Sequence, residues 1–196
     1  MSRYIGPKHR LERREGETLE LKSLNSKSRD RRLKVPPGQH GQKGSRKLSD
    51  YGIQLRAKQK AKRIYGVTER QLKKYFVIGK KQKGKTGDVM LQMLEQRLDN
   101  VIFRLGFAPT RAGARQLVTH GHVQVNQEKL NIPSYQVKLN DVVLVDVNKA
   151  HLLNKDTIPP VWLEKQGAVG KIVKIPERGD IETTVDDQLI VEFYSR

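Results

Sequence analysis

Three arginines and two histidines with the chemistry to bind phosphate lie close together in the middle of the chain. Arg111 and Arg115 are four residues apart, so a helix would place both on one face. Arg104 precedes them, and His120 and His122 follow on either side of a glycine. The fork of a guanidinium matches phosphate oxygens, and a helix that begins just before Arg111 would add free backbone N–H groups. The spacing therefore predicts a phosphate-binding site, with surface arginines of no specific role as the alternative.

The net charge is concentrated in one half of the chain. Residues 1–90 contain 26 Lys and Arg and 8 Asp and Glu, whereas residues 91–196 contain 13 of each kind. The whole net charge of +18 thus lies in the first 90 residues. This pattern favours a polyanionic partner, first of all nucleic acid, because neutralised phosphates release condensed counterions. A solvated basic face or a segment on a membrane surface is the alternative.

Two segments match nucleotide-binding motifs but lack the context that such motifs need. Residues 79–86, GKKQKGKT, fit the P-loop pattern, and residues 142–146, VVLVD, resemble the second strand of such a site. A P-loop needs a strand before it and a parallel sheet around it. The preceding segment is instead predicted to be a helix, because Thr68 and Gln71 form a capping-box pattern. We therefore interpret residues 80–85 as a basic turn that faces nucleic acid, with Lys85 serving in docking and not in catalysis.

The rest of the composition excludes other kinds of site. The chain has no Cys, so disulfides, thiolate zinc sites and cysteine nucleophiles are excluded. Its five His lack zinc-site spacing, and no nucleophile elbow or paired-carboxylate pattern is present. We expect no cofactor, no metal and no enzymatic activity. No apolar run is long enough for a membrane span, and no secretory signal is expected at the N-terminus.

The apolar pattern predicts an irregular arm followed by helices. Residues 1–47 contain few apolar residues and no lasting period, so we expect an arm that becomes ordered only against a partner. A helix is predicted after Ser49, a second after Thr68, and one long apolar pattern runs over residues 90–105. A further short helix is predicted after Thr110.

Short strands are predicted after residue 122, where the period of the apolar residues changes to 2. Trp162 follows two prolines and is predicted to anchor a core. The predicted strands cover residues 123–125, 130–132, 135–139, 142–147 and 171–175.

Several of these segments together resemble a known family. Residues 97–126 resemble an αL-type RNA-binding module that several RNA-binding families share. Five further motifs distinguish among the families that share this module: PGQHG (37–41), SDYGIQL (49–55), RIYGV (63–67), IPSYQV (132–137) and LIVEFYSR (189–196). In this order the motifs resemble the family of small-subunit ribosomal protein S-four of bacteria and organelles. Some members carry a zinc-binding Cys cluster in the N-terminal arm, so other contacts must hold that arm in this chain.

The resemblance implies an α+β fold of three parts. The expected architecture is a mainly helical domain, an inserted αL RNA-binding module of two short helices and a small antiparallel sheet, and an extended basic N-terminal arm. The arm is expected at residues 1–45, the helical domain at 46–90 together with 157–196, and the inserted module at 91–156.

The resemblance also implies a structural role in the small ribosomal subunit. Members of the family bind small-subunit rRNA at a multi-helix junction of the five-prime domain and nucleate assembly of the body. They lie at the channel through which mRNA enters and contact the neighbouring protein S-five, which affects translational accuracy. Recognition of this kind depends on shape and phosphates. The expected location is the cytoplasmic ribosome or a plastid or other organellar ribosome, without a membrane partner.

The candidate site residues form two groups. The family resemblance implies that Lys43, Arg46 and Lys47 lie beside incoming mRNA. The residues predicted to bind rRNA are Arg3, Tyr4, Lys8, Arg10, Arg13, Arg14, Lys22, Arg56, Lys58, Lys60, Arg63, Tyr65, Arg70, Lys73, Lys74, Lys85, Arg104, Arg111, Arg115, His120 and His122.

Two other classes of protein carry the same module. An rRNA-modifying enzyme such as a pseudouridine synthase needs a catalytic domain with an Asp in a cleft, but only about 90 residues precede the module and about 40 follow it. A ribosome-rescue factor would need neither the PGQHG segment nor the terminal LIVEFYSR. The segments outside the module therefore favour the ribosomal protein.

Overall fold

The computed structural model describes residues 4–21, 33–43, 47–146 and 158–196. Within these ranges the chain has seven α-helices and one five-stranded antiparallel sheet, which confirms the predicted mainly helical α+β class. The helices are α1 (Lys8–Glu15), α2 (Asp50–Ile64), α3 (Glu69–Lys81), α4 (Thr86–Glu95), α5 (Leu98–Arg104), α6 (Arg111–Thr119) and α7 (Asp187–Ser195). The strands are β1 (Val123–Val125), β2 (Glu128–Lys129), β3 (Val142–Val145), β4 (Leu163–Gln166) and β5 (Val169–Ile172). No described helix has the length and apolar character of a membrane span.

Side-chain caps begin three of the helices where the sequence predicts them. The hydroxyl of Ser49 accepts the N–H of Gly52 at the start of α2, and that of Thr110 accepts the N–H of Gly113 at the start of α6. Thr68 and Gln71 form the predicted capping box of α3. These bonds satisfy N–H groups that have no partner inside the helix, so local sequence alone determines where each helix begins.

Helices α2, α3, α4 and α7 share one apolar core. Leu72, Leu91, Leu94 and Ile190 have no exposed surface in it, and Leu19 from the N-terminal segment packs into the same core. The motif LIVEFYSR lies mostly in α7, which packs along α2.

The long apolar pattern of residues 90–105 forms two helices instead of one. The chain is extended at Arg97, between α4 and α5, because the backbone there bonds to residues 135–137 and not to the preceding turn. The N–H of Leu98 donates to the carbonyl of Tyr135, and the N–H of Val137 donates to the carbonyl of Gln96. Residues 135–139, predicted as a strand, thus form only an isolated bridge between Arg97 and Gln136.

The five strands form an antiparallel sheet in the order β2-β1-β3-β5-β4. Asn126 and Gln127, both at positive φ, form a two-residue turn that places β2 at residues 128–129, earlier than the predicted 130–132. Val123, Val143 and Val145 on the inner face are buried in a second core with the apolar sides of α5 and α6.

Strands β4 and β5 extend this second core beyond the boundary that the sequence predicted. Trp162, 1% exposed, packs there as predicted, together with Leu163 and Ile172. The predicted assignment of all of 157–196 to the helical domain therefore differs from the structure over residues 162–172. The predicted strand at 171–175 begins earlier, at Val169, because Gly170 has no side chain and allows the strand to lie directly against Leu105.

The N-terminal segment is more regular than an extended arm. Residues Lys8–Glu15 form α1, and the segment after it is held by its acids and by Leu19. The carboxylate of Glu15 accepts from both Arg56 and Arg63 of α2. The apolar pattern does not predict this order, because acids form several of the contacts that hold the segment.

Candidate nucleic-acid interface

One face of α3 and the turn after it form an exposed basic surface. The opposite face of α3 is buried through Leu72, Phe76 and Gly79, so helical periodicity turns the cations outward. We call the exposed residues the α3 basic surface: Arg70, Lys73, Lys74, Lys80, Lys81, Lys83 and Lys85.

No cation of the α3 basic surface is paired with an acid among the described residues. The first-turn acid of α3, Glu69, faces the other way and accepts from Lys58 and Tyr194. These contacts lower the pKa of Glu69, although its partial burial acts in the opposite direction. The carboxylate on this helix is thus held on the inner side, and the outer side keeps its full positive charge.

The P-loop match within this surface has the wrong structure for nucleotide binding. Gly79 belongs to α3 and Thr86 begins α4, so a helix lies on each side of the turn. The second match, VVLVD, contains β3, whose neighbours are antiparallel. The helix before the turn and the antiparallel sheet both agree with the interpretation of residues 80–85 as a basic turn.

The arginines from which a phosphate site was predicted mostly donate hydrogen bonds to side chains within the protein. Arg104 donates from Nε and Nη2 to the two carboxylate oxygens of Glu95, at 3.0 and 2.9 Å. The Nε of Arg111 donates to Asn100, and its Nη1 donates to Glu20 at 3.0 Å. The guanidinium of Arg111 also lies 4.3 Å from the centroid of the Phe103 ring. These two arginines therefore join α5 and α6 to α4 and to the N-terminal segment.

Glu95 is the centre of this network. It is 1% exposed, and it also accepts from the hydroxyl of Tyr65 at 2.7 Å and from the amide of Asn100 at 2.7 Å. Burial alone would raise its pKa, but the charges of Arg104 and Arg111 and these hydrogen bonds lower it. Burial, followed by the charge of Glu95, raises the pKa of Tyr65 well above its usual value. Glu95 is therefore a carboxylate and Tyr65 a neutral phenol at neutral pH.

Arg115 is part of a second buried cluster. Its Nη1 lies 3.6 Å from Asp99, which also accepts two hydrogen bonds from the fully buried Arg97. Arg97 donates in addition to the hydroxyl of Tyr75 on α3. This cluster therefore also connects the two cores, as the first one does.

The two histidines lie at the far end of α6. His120 is exposed, whereas His122 is partly buried with its Nδ1 3.8 Å from a carboxylate oxygen of Asp146. Their ring centroids are 6.2 Å apart. The described residues contain no group of three or more acids or histidines placed to hold a metal ion.

The predicted cations of α2 also have acid partners. Arg56 and Arg63 bind Glu15, Lys60 binds Glu17, and Lys58, 5% exposed, binds Glu69. Arg13 donates to the carbonyls of Val35 and Pro36 and so connects α1 to the segment before PGQHG.

The remaining predicted residues fall into two groups. Arg3, Lys22 and Arg46 lie outside the described residues. Those with exposed or partly exposed side chains and no acid partner in the described chain are Tyr4, Lys8, Arg10, Arg14, Lys43, Lys47, Arg70, Lys73, Lys74, Lys85 and His120.

Sequence reasoning missed the acids that organise the basic side chains. Glu95, Asp99 and Glu20 have no motif around them, and each would be expected on the surface from its residue type. One signal was present, since four of the eight acids of residues 1–90 lie within residues 12–20, close to a cluster of arginines in sequence.

The fold places this chain in the class of proteins that contain an S4 domain. The family model described as the S4 domain matches residues 96–143, which hold α5, α6, β1, β2 and the first half of β3. The model described as the ribosomal protein S4/S9 N-terminal domain matches residues 3–95.

Curated relatives cover the whole chain. The small ribosomal subunit proteins uS4 of Dictyoglomus turgidum and Herpetosiphon aurantiacus are each 50% identical to it, and that of Thermus thermophilus is 46% identical, with 100% of both chains covered each time. The chain therefore belongs to the small ribosomal subunit protein uS4 family. The predicted resemblance is confirmed, as are the structural role in the small subunit of the ribosome and the absence of an enzymatic role, since these relatives are ribosomal proteins.

Proposed function

We propose that this protein binds small-subunit rRNA directly through the α3 basic surface and nucleates assembly of the five-prime domain. The observation that carries the proposal is that these seven exposed cations have no acid partner in the described chain, whereas the cations of α2 and α6 do. Unpaired lysines release counterions when they meet phosphates, without first breaking an internal ion pair. The S4 domain supports the same partner.

Recognition through this surface is expected to depend on the shape and phosphates of a folded junction. Lysine is a compact charge on a flexible stem, which suits phosphates at variable positions better than the edges of bases. The deep, narrow major groove of an RNA duplex excludes side chains, so contacts to backbone phosphates dominate.

The salt dependence of binding tests this proposal. A fourfold variant with Lys73→Ala, Lys74→Ala, Lys83→Ala and Lys85→Ala is compared with the wild type on a five-prime-domain fragment of small-subunit rRNA. Each lost phosphate contact should reduce the slope of log K against log salt by about 1. The variant should bind more weakly at every salt concentration and with a shallower slope.

The control removes two exposed lysines that lie away from α3, with Lys138→Ala before β3 and Lys171→Ala on β5. It should bind like the wild type. If the fourfold variant binds no more weakly than this control, or if the wild type shows no dependence on salt, the α3 basic surface is not the rRNA-binding site.

A second part of the proposal concerns mRNA. Lys43 and Lys47 are exposed on either side of Arg46, which lies outside the described residues. By family resemblance, these three cations lie where mRNA enters and hold phosphates without reading sequence. Charge reversal of all three should leave subunit assembly intact but slow translation through mRNA hairpins, and normal passage would contradict the role.

A third part concerns the contact with protein S-five. Leu48, Tyr51 and Ile53 at the start of α2 are 51%, 51% and 42% exposed, and Tyr51 lies against Phe193 of α7. An exposed apolar patch of this kind favours a protein partner. Ile53→Asp should raise misreading in a reporter strain, whereas Val173→Asp, on an exposed apolar residue after β5, should not. Equal misreading in both strains would exclude the patch as the S-five contact.

A further inference from the structure

The carboxylate of Glu20 occupies an anion position in front of Arg111. Glu20 is 57% exposed, and its one hydrogen bond within the described residues is with Nη1 of the 9% exposed Arg111. The guanidinium itself is held from other sides, by Asn100 at Nε and by the rings of Phe103 and Tyr65. The cation is thus fixed in place independently of Glu20, whereas the acid is held only loosely.

The charged groups around Arg111 have a net positive charge unless an anion is bound there. Of the two acids near Arg104 and Arg111 in the described chain, Glu95 is buried and Glu20 is exposed, and the charge of Glu95 acts on both guanidiniums. Without Glu20 the cluster would therefore carry one uncompensated positive charge. Arg111 is also the first residue of α6, where free backbone N–H groups and the helix dipole add to the positive potential.

Glu20 can leave this position without disturbing the core. Leu19 is buried and Leu21 packs against the same core, so the two neighbours hold the backbone while the side chain between them reaches toward Arg111. Rotation of the flexible Glu side chain is enough to move its carboxylate into solvent. The φ of Glu20 is +53°, a conformation that non-glycine residues rarely adopt, and the contact with Arg111 therefore forms from a strained backbone.

We propose that Glu20 is an internal substitute for an RNA phosphate, and that a phosphodiester of the rRNA displaces it from Arg111 on binding. Both groups present oxygens that accept from a guanidinium in the same way. A carboxylate that stayed in place would repel the incoming phosphate, so the exchange both opens the site and removes that repulsion. This inference rests on the proposed rRNA binding and assigns to one residue of the N-terminal segment the control of access to the site.

The test uses Glu20→Gln in the full-length protein, with Glu128→Gln as the matched control. Glu128 is an exposed acid of β2 with no ion pair in the described chain, so its change reproduces the gain in net charge alone. When the other proteins bind RNA, they must break the exposed ion pair between Glu20 and Arg111, whereas Glu20→Gln has no such pair to break. Glu20→Gln should therefore bind the rRNA fragment about two- to fivefold more tightly than Glu128→Gln does. Equal or weaker binding would show that Glu20 stays on Arg111 in the complex and would overturn the proposal.

A second measurement does not depend on RNA. Inorganic phosphate should raise the melting temperature of free Glu20→Gln more than that of the wild type or of Glu128→Gln, because a neutral side chain in front of Arg111 no longer repels an anion and is more easily displaced by one. The extra stabilisation should shrink when Arg111→Lys is added, since lysine lacks the fork. If phosphate stabilises all variants equally, the anion position does not exist and the inference fails, even if the rRNA binding is confirmed.

A third variant guards against a failure of folding. Glu20→Gly also removes the carboxylate, and it relieves the positive φ at the same time. It should reproduce the tighter rRNA binding and the response to phosphate, and the absence of both in a folded Glu20→Gly protein would overturn the proposal. If no variant and not even the wild type binds the rRNA fragment, the proposed function fails, while the response to phosphate still decides on the anion position.

Discussion

Replacement of Glu95 by Gln should destabilise the whole protein, because its carboxylate is the charge partner of two guanidiniums. The substitution keeps the size of the side chain but leaves Arg104 and Arg111 without a buried negative charge. It also turns an acceptor-only group into one that presents two N–H donors to Arg104, Asn100 and Tyr65, all of which donate to Glu95. Breaking a buried ion pair in this way costs about 3–5 kcal/mol.

The magnitude is large relative to the total stability of such a domain, which is on the order of 5–15 kcal/mol. For a chain of this size, each kcal/mol corresponds to a change of about 2–4 °C in melting temperature. We expect Glu95→Gln to melt at least about 6 °C below the wild type, and the loss should be visible in urea denaturation followed by circular dichroism. Glu164→Gln, on the exposed face of β4, is the control and should change stability by no more than about 0.5 kcal/mol.

A double-mutant cycle separates the ion pair from general disruption. Arg104→Gln alone should also destabilise, and the double variant with Glu95→Gln should be less destabilised than the sum of the two, since removal of both charges of this pair leaves neither of them without the other. If Glu95→Gln loses less than about 1 kcal/mol, or if the two changes are additive, the network does not hold the cores together as the contacts indicate.

Three further outcomes follow from other features. The folded protein lowers the pKa of Glu95 from 4.5, so the stability that Glu95 contributes is present above that pH and is lost as the pH falls through the folded pKa. It raises the pKa of Tyr65 from 10.0, so the stability that Tyr65 contributes is present below pH 10 and is lost as the pH rises through the folded pKa. A melting-temperature profile should therefore fall on both sides, and Glu95→Gln should flatten the acid side; an unchanged acid side would contradict the assignment. Gly170→Ala should cost about 1–3 kcal/mol, because an added Cβ would overlap Leu105, and a melting temperature like that of the wild type would show that the strand shifts freely. Equilibrium dialysis should detect no ATP or GTP binding, and saturable binding that disappears with Lys85→Ala would revive the P-loop interpretation.

The starts of the helices could be predicted because each depends on a few adjacent residues. Ser49, Thr68 and Thr110 cap helices through side chains that reach only two or three residues along the chain. The break at Arg97 could not be predicted in this way. It arises because backbone groups near residue 97 bond to residues 135–137, and the apolar period of the sequence continues across the break.

The chemistry of the candidate site could be predicted from the sequence, but only some of the residues that form it could be. The basic turn at residues 80–85 was visible because its cations are adjacent and no acid interrupts them. The role of Arg111 was ambiguous, since the same guanidinium suits a phosphate and a carboxylate, and Glu20 is 91 residues away in sequence. Pairing over such a distance is a property of the fold, and no local pattern shows it.

Several glutamates of residues 1–90 lie at the contacts between the elements of the basic half. Glu15, Glu17, Glu20 and Glu69 each accept from a cation of α2 or α6, and Glu12, which has no exposed surface, lies 3.1 Å from His9. Glu15, Glu17, Glu20 and Glu69 are therefore placed where two elements meet, so that the self-repulsion of the basic half is reduced at the contacts that hold the fold. Seven of the cations that have no acid partner in the described chain lie on α3 and the turn after it, and the only acid of α3 is on the inner side. The division between internal and external charge thus depends on where a few glutamates lie, and a chain of the same net charge with those glutamates on the outer face of α3 would have a weaker fold and a weaker affinity for RNA.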